Sequence, residues 1–209
     1  NLARFYLQTT QFSKAEPLYK KLLTLRQAAS GEDSESVAEI HTYLGHLYGH
    51  QGRDGLAEAN YWRALTLFEK LLGNEHRKTA ATLGNLGTSF YKQGKFVEAE
   101  ALLKRALAVS EKSGSGSAPD HAAALFNLAV FYQEKMRLDE AEPLFRNALV
   151  IIETAYGREH LMVANISNRL AAVFVQQGRY PLAEAMFERA IAIYEKPFGP
   201  AHPDIALVL

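Results

Sequence analysis

Shifted by 42 residues, the sequence falls onto itself, and it does so across five copies without an insertion. Ala15, Ala57, Ala99, Ala141 and Ala183 then coincide, as do Leu22, Ala64, Ala106, Ala148 and Ala190. Tyr6, Tyr48, Phe90, Tyr132 and Phe174 form an aromatic line in the same register. A period of this length means that each copy is one supersecondary unit, unable to bury its apolar face alone and obliged to stack on its neighbours. The expected product is an array whose stability sums repeat and interface terms, weakest at its ends.

Each copy reads as two amphipathic helices. In the third, Leu83, Leu86, Gly87 and Phe90 follow the i, i+3, i+4, i+7 spacing of one buried stripe. Phe96, Ala99, Leu103, Ala106 and Leu107 make the matching stripe on the second helix. The spacing predicts helix pairs at Val37–Leu72, Thr79–Ser113, Asp120–Tyr156 and Val163–Lys196, bounded by partial pairs. Gly52, Gly94 and Gly178 stand between the two helices, where a left-handed residue ends the first one. Thr10 and Met136 hold the same place, so their turns are expected to close differently. Pro17, Pro143 and Pro181 are expected near the start of a second helix, where a missing N–H costs least. The alanine columns mark where paired helices approach most closely, and Leu22 predicts looser packing in the first copy.

Between pairs a second phrase recurs, as Gly73-Asn74-Glu75-His76, Gly157-Arg158-Glu159-His160 and Gly199-Pro200-Ala201-His202. Histidines a full repeat apart cannot share one catalytic centre, and His76, His160 and His202 are expected to cap the next helix or bridge to the previous pair. The third linker, Gly114-Ser115-Gly116-Ser117, has the composition of a flexible connection, and any bend in the array is expected there. His202 to Leu209 reads as the opening of a sixth first helix. That pattern is expected of a fragment of a longer array, with docking of the last helix on another molecule as the alternative.

The pattern Asn85-Leu86-Gly87, Phe90, Gly94-Lys95-Phe96, Ala99-Glu100, Ala106-Leu107 resembles the tetratricopeptide repeat. The 42-residue period and the Gly-x-x-His linkers are most similar to the long-helix subclass of kinesin light chains and many bacterial proteins. The resemblance covers essentially the whole chain and departs from the pattern at Thr10, Leu22, Asp54 and Met136. It implies an all-α fold, a right-handed α-solenoid of stacked antiparallel helix pairs, forming one domain over residues 1–209. It also implies a general protein-binding scaffold, cytoplasmic and without catalysis.

Charge and composition narrow the partners. Twenty-three basic residues balance twenty-three acidic ones, which argues against nucleic acid, since that surface must be basic to displace counterions. There is no cysteine, so neither a disulfide framework nor a thiolate metal site exists. Apolar runs such as Leu170 to Val175 are far too short to cross a membrane, and no insertion is expected. No signal peptide is visible, and a start at Asn1 without methionine leaves room for residues upstream.

On each first helix the face opposite the buried stripe is expected to line the concave wall of the solenoid. It collects the candidate peptide-binding residues His46, His50, Asn85, Lys92, Asn127, Glu134, Asn165, Asn168 and Arg169, together with Arg4, Gln8 and Glu39. Asn1, Asn85 and Asn127 share one register. In proteins similar to this one, asparagines there hold the backbone of an extended peptide. An amide suits that role because it both donates and accepts. A solvated face that binds nothing is the plain alternative.

His46 and His50, one turn apart, have bidentate metal spacing, but no carboxylate stands a turn away, and they are expected to contact peptide instead. Trp62, beside an expected buried Tyr61, reads as filler between helices. No phosphate-cradling loop and no framed nucleophile appear, so no cofactor and no catalysis are expected. The leading expectation is a scaffold that binds an extended peptide of a partner in its concave groove. The alternatives are a regulatory or sensor arm of a larger protein and self-association through the open C-terminal helix.

Overall fold

The computed structural model describes residues 2–112 and 118–198. Asn1, the glycine-serine linker, His202 and the expected sixth helix therefore lie outside the described residues. Among those described there are ten helices and no strand, arranged in two compact units, Asn1–Ser113 and Gly114–Leu209. The first unit holds α1 (Leu2–Gln8), α2 (Phe12–Ser30), α3 (Glu35–His50), α4 (Asp54–Leu72), α5 (Arg77–Lys92) and α6 (Phe96–Lys112). The second holds α7 (Ala118–Glu134), α8 (Leu138–Tyr156), α9 (Leu161–Gln176) and α10 (Tyr180–Phe198). Within each unit an odd-numbered helix pairs with the helix that follows it, and that second helix packs on the next pair. The fold is an all-α solenoid.

All four expected pairs open two residues earlier than the periodicity alone places them, at Glu35, Arg77, Ala118 and Leu161, and at two of them a histidine makes the cap. The Nδ1 of His76 accepts a hydrogen bond from the Lys78 backbone N–H at 3.2 Å, and His160 does the same for Met162 at 3.2 Å. Each imidazole satisfies an orphan donor of the first turn, as a side-chain cap should. The two linker histidines thus cap α5 and α9.

All five turns between paired helices close in one way, against the expectation for two of them. Gly52, Gly94 and Gly178 have φ of 69°, 77° and 75°, and Thr10 and Met136 both adopt 56°. After Gly94, Lys95 N–H returns to the Phe90 carbonyl at 3.0 Å; after Met136, Arg137 N–H returns to Tyr132 at 2.8 Å. These bonds satisfy carbonyls that the helix end would leave orphaned. The recovered bonds keep a strained left-handed conformation at residues that disfavour it. At the four turns after the first, the residue that follows then lays its cation over the aromatic five positions earlier. Arg53 lies 4.6 Å from the Tyr48 ring, Lys95 4.7 Å from Phe90, and Arg179 4.6 Å from Phe174.

The alanine columns sit at the tightest part of each pair. Ala15, Ala57, Ala99 and Ala141 are completely buried, as are Ala64, Ala148 and Ala190. A Cβ placed on Gly87 would stand 2.8 Å from Leu103 Cγ and 3.3 Å from the Ala99 carbonyl oxygen. Leu22, which interrupts the second column, is only half-buried.

Two expectations on second helices need correction. Phe96 is exposed at the start of α6 and tilts against Tyr91 at 5.8 Å, while Leu107 is half-buried. The buried stripe begins only at Ala99, because the Gly94 turn leaves Phe96 at the rim of the pair. Pro17 and Pro143 lie inside α2 and α8, beyond the first turn. Both are exposed, and water can satisfy the carbonyls that their missing N–H groups leave open.

Ion pairs tie one repeat to the next. Arg53 reaches Glu16 at 2.9 Å, Lys95 reaches Glu58 at 2.9 Å, and Arg179 reaches Glu142 at 2.6 Å, each 37 residues apart. A parallel set joins Lys70 to Asp33 at 2.5 Å, Lys112 to Glu75 at 2.9 Å, and Lys196 to Glu159.

Candidate functional site

In the first unit the candidate face belongs to α3 and α5. Its polar groups are largely engaged within the protein. His46 Nδ1 lies 3.2 Å from the Tyr61 hydroxyl, and Nε2 lies 3.4 Å from the Asn85 side-chain nitrogen. The imidazole therefore bridges α3, α4 and α5, with its ring edge-on to Tyr61 at 5.6 Å. Burial, with a contribution from His50, lowers its pKa to about 4. It is neutral at pH 7 and acts as a hydrogen-bonding strut.

His50 is exposed and stacks on Phe12 at 5.7 Å, so the two histidines point to different neighbours. No group of three or more histidine or carboxylate side chains is clustered for metal binding among the described residues. Lys92 is exposed at the end of α5 and forms no ion pair among the described residues. Trp62 is partly exposed and edges onto Phe90 at 6.5 Å, between α4 and α5.

In the second unit the same face opens into a pocket of about 370 Å³ between α7 and α9. Asn127 and Asn165 line it, with Ala123, Phe126, Met162 and Ile166 as its apolar wall. Phe126 is held edge-on by the buried Phe145 at 5.5 Å. Two amides beside an apolar cleft can bind a peptide backbone and seat one of its side chains.

Asn168 does not line this pocket and is half-buried; the amide that joins Asn127 there is Asn165. Arg169 holds the register of Asn85 and Asn127, and it pairs with Glu134 at 3.6 Å. Both partners are more than two-fifths exposed, so the pair is weak and easily exchanged for a ligand charge.

Three contributors were missed by sequence reasoning. Tyr61 is the partner that immobilises His46, and it comes from a second helix 15 residues away. Phe126 and Met162 shape the second-unit pocket from positions held by glycine and lysine in the third copy. Only the deviation from the repeat at those positions could have signalled them.

The tetratricopeptide repeat profile matches residues 1–65, 36–112 and 120–196. Among curated proteins none matches the sequence. Among solved structures, BtubC (BKLC) of P. vanneervenii is 28% identical, with 97% of this chain and 80% of that one aligned and a TM-score of 0.78. A kinesin light chain-like protein of Podospora anserina with nearly identical repeats is 23% identical over 94% of this chain and 93% of that one, TM-score 0.71. The Rap conjugation gene regulator of plasmid pLS20, in complex with the Phr* peptide, shares the fold at 18% identity and TM-score 0.75. That alignment takes in 93% of this chain and 52% of the regulator.

Proposed function

The chain belongs to the tetratricopeptide repeat family, and on that premise we propose that it is a non-catalytic scaffold binding an extended peptide segment of a partner protein. The binding face is that of the first helices within each unit. The reading rests chiefly on the α7–α9 pocket, where Asn127 and Asn165 stand beside a wall of Ala123, Phe126, Met162 and Ile166. The amides hold the peptide backbone and the apolar wall seats a side chain. Arg169, released from Glu134, selects acidic or mixed-charge sequences. In the first unit Lys92 and His50 are the exposed contacts, while Asn85 and His46 support the face through their own hydrogen bond. A regulator of the same fold was solved with a peptide bound, which supports peptide recognition as the mode of action. Such a scaffold works in the cytoplasm, and among the described residues no helix is long and apolar enough to cross a membrane.

Selection of extended peptides from a displayed random library, followed by titration, tests the reading. Asn127→Ala and Asn165→Ala should each weaken a selected peptide by about 0.5–1.5 kcal/mol, the worth of a neutral hydrogen bond. Melting should stay at the wild-type value, because both side chains line an open pocket. Failure to enrich any peptide, or unchanged affinity in both variants, rejects this face as the site.

A further inference from the structure

The first unit contains another cleft, of about 200 Å³, where α1, α2 and α3 meet. Arg4, Tyr19, Arg26, Ser36, Glu39 and Tyr43 line it. Neither Arg4 nor Arg26 has an ion-pair partner among the described residues, whereas Arg53, Arg63, Arg105 and Arg179 each have one. The one carboxylate of the lining, Glu39, shares Lys78 with Glu35, which the ammonium holds at 2.6 Å, so Glu39 is only partly compensated. Two guanidiniums against one partly compensated carboxylate leave the lining net positive.

Tyr19 adds a second and independent observation. Its side chain is 1% exposed, and its hydroxyl has no hydrogen-bond partner. A buried hydroxyl is nearly always satisfied, so one left unpaired beside a polar cleft points to a missing acceptor. The ring is held in place by stacking on Tyr43 at 5.5 Å. Burial, reinforced by Tyr43 and opposed by Arg4, pushes the hydroxyl up to about 12, so it keeps its proton and can donate.

The repeat itself does not require this polarity. Three repeats further on, the counterparts of Arg26, Ser36, Glu39 and Ile40 are Ile152, Met162, Asn165 and Ile166, which line the largely apolar α7–α9 pocket. The same register of the same fold carries no cation there.

We propose that the α1–α2–α3 cleft is an oxyanion site, taking a carboxylate or a phosphate group between the Arg4 and Arg26 guanidiniums with the Tyr19 hydroxyl as a third donor. Charged acceptors make the strongest hydrogen bonds, and a guanidinium fork suits both groups. The site shares Arg4 and Glu39 with the candidate peptide face but is tested apart from the peptide reading, through Tyr19 and Arg26 on α2, with Asn127 and Asn165 untouched. Either can fail alone.

Titration followed by nuclear magnetic resonance tests the site on the whole chain, with three additives: an acetylated, amidated tetraglutamate, its tetraglutamine counterpart, and inorganic phosphate. Tetraglutamate or phosphate should shift the Tyr19 ring and the arginine side-chain signals saturably, and tetraglutamine should not. Added salt should weaken the effect. Tyr19→Phe and Arg26→Gln should each loosen binding about tenfold, by the loss of one bond to a charged group. Neither should lower the melting temperature, because Tyr19→Phe removes only an unpaired hydroxyl and Arg26 is exposed. Whichever anion binds identifies the ligand group as carboxylate or phosphate, and both results support the site. No saturable shift with either anion, an equal response to tetraglutamine, or wild-type affinity in both variants would overturn it.

Discussion

At the junction of α3, α4 and α5 the imidazole of His46 is shared between the Tyr61 hydroxyl and the Asn85 amide. Burial holds its pKa near 4, against about 6.5 in an unfolded chain. Between those values the unfolded chain binds the additional proton, so folding weakens as pH falls. The His46 contribution is complete above the unfolded value and drains away toward pH 4, by about 3 kcal/mol at most. His41, lowered by burial against its hydrogen bond with Asn60, adds a slope of the same sign. Melting temperatures from pH 7.5 to 5 should therefore fall more steeply for the wild type than for His46→Gln. Parallel profiles would show that His46 is not the group responsible. The same imidazole illustrates a general hazard of reading a face from one helix alone. His46 lies on the outer side of α3 by periodicity, yet the neighbouring helices enclose it.

Within a helix pair the closest approach is set by small residues on both partners. Gly87 on α5 faces Leu103 and the Ala99 backbone on α6, and Gly45 on α3 faces the Tyr61 ring, 2.5 Å from where a Cβ would sit. Alanine is a better helix former than glycine by about 1 kcal/mol. Against that stands overpacking, which costs about 1–3 kcal/mol where backbone must shift. The balance depends on the surroundings. At Gly55 in α4 nothing lies within 4 Å of an added Cβ, so Gly55→Ala should raise the denaturation midpoint. Gly87→Ala should lower it, because the Ala99 carbonyl at 3.3 Å belongs to the backbone and cannot rotate away. If both variants gain stability, α5 and α6 do not meet as closely as their alanine column implies.

Across repeats, carboxylates and cations 36 or 37 residues apart form ladders in both units, and burial decides which rungs matter. Glu142 is 17% exposed and accepts from Arg146 at 2.9 Å, Gln177 at 3.3 Å and Arg179 at 2.6 Å. Burial raises its carboxyl, but these three bonds outweigh that and leave it below the usual carboxylate range. Glu159, 70% exposed, pairs with Lys196 alone among the described residues. Breaking a shielded, multiply bonded carboxylate should cost about 1.5–3 kcal/mol, while an exposed pair is worth about 0–1 kcal/mol. Glu142→Gln should thus lower the unfolding midpoint clearly, and Glu159→Gln should scarcely move it. Equal effects would mean that the ladder acts through long-range charge and not through its bonds.

The sequence by itself determined the repeat length, the helical class, the pairing of helices and the small-residue columns. These follow from periodicity, because a residue that recurs every 42 positions must answer the same packing demand in each copy. It also marked the linker histidines as caps or bridges, since their place relative to the next helix repeats, and the structure makes His76 and His160 caps. Tertiary structure alone decided how the turns at Thr10 and Met136 close. There the bonds recovered across the turn outweigh a local preference against left-handed backbone. It alone separated Asn165 from Asn168 at the pocket, removed His46 into a bridge, and brought Arg26 and Tyr19 beside Arg4. Each of those outcomes depends on which side chains of different helices share a space. A repeat pattern cannot carry that information, because the residues concerned are the ones that do not repeat.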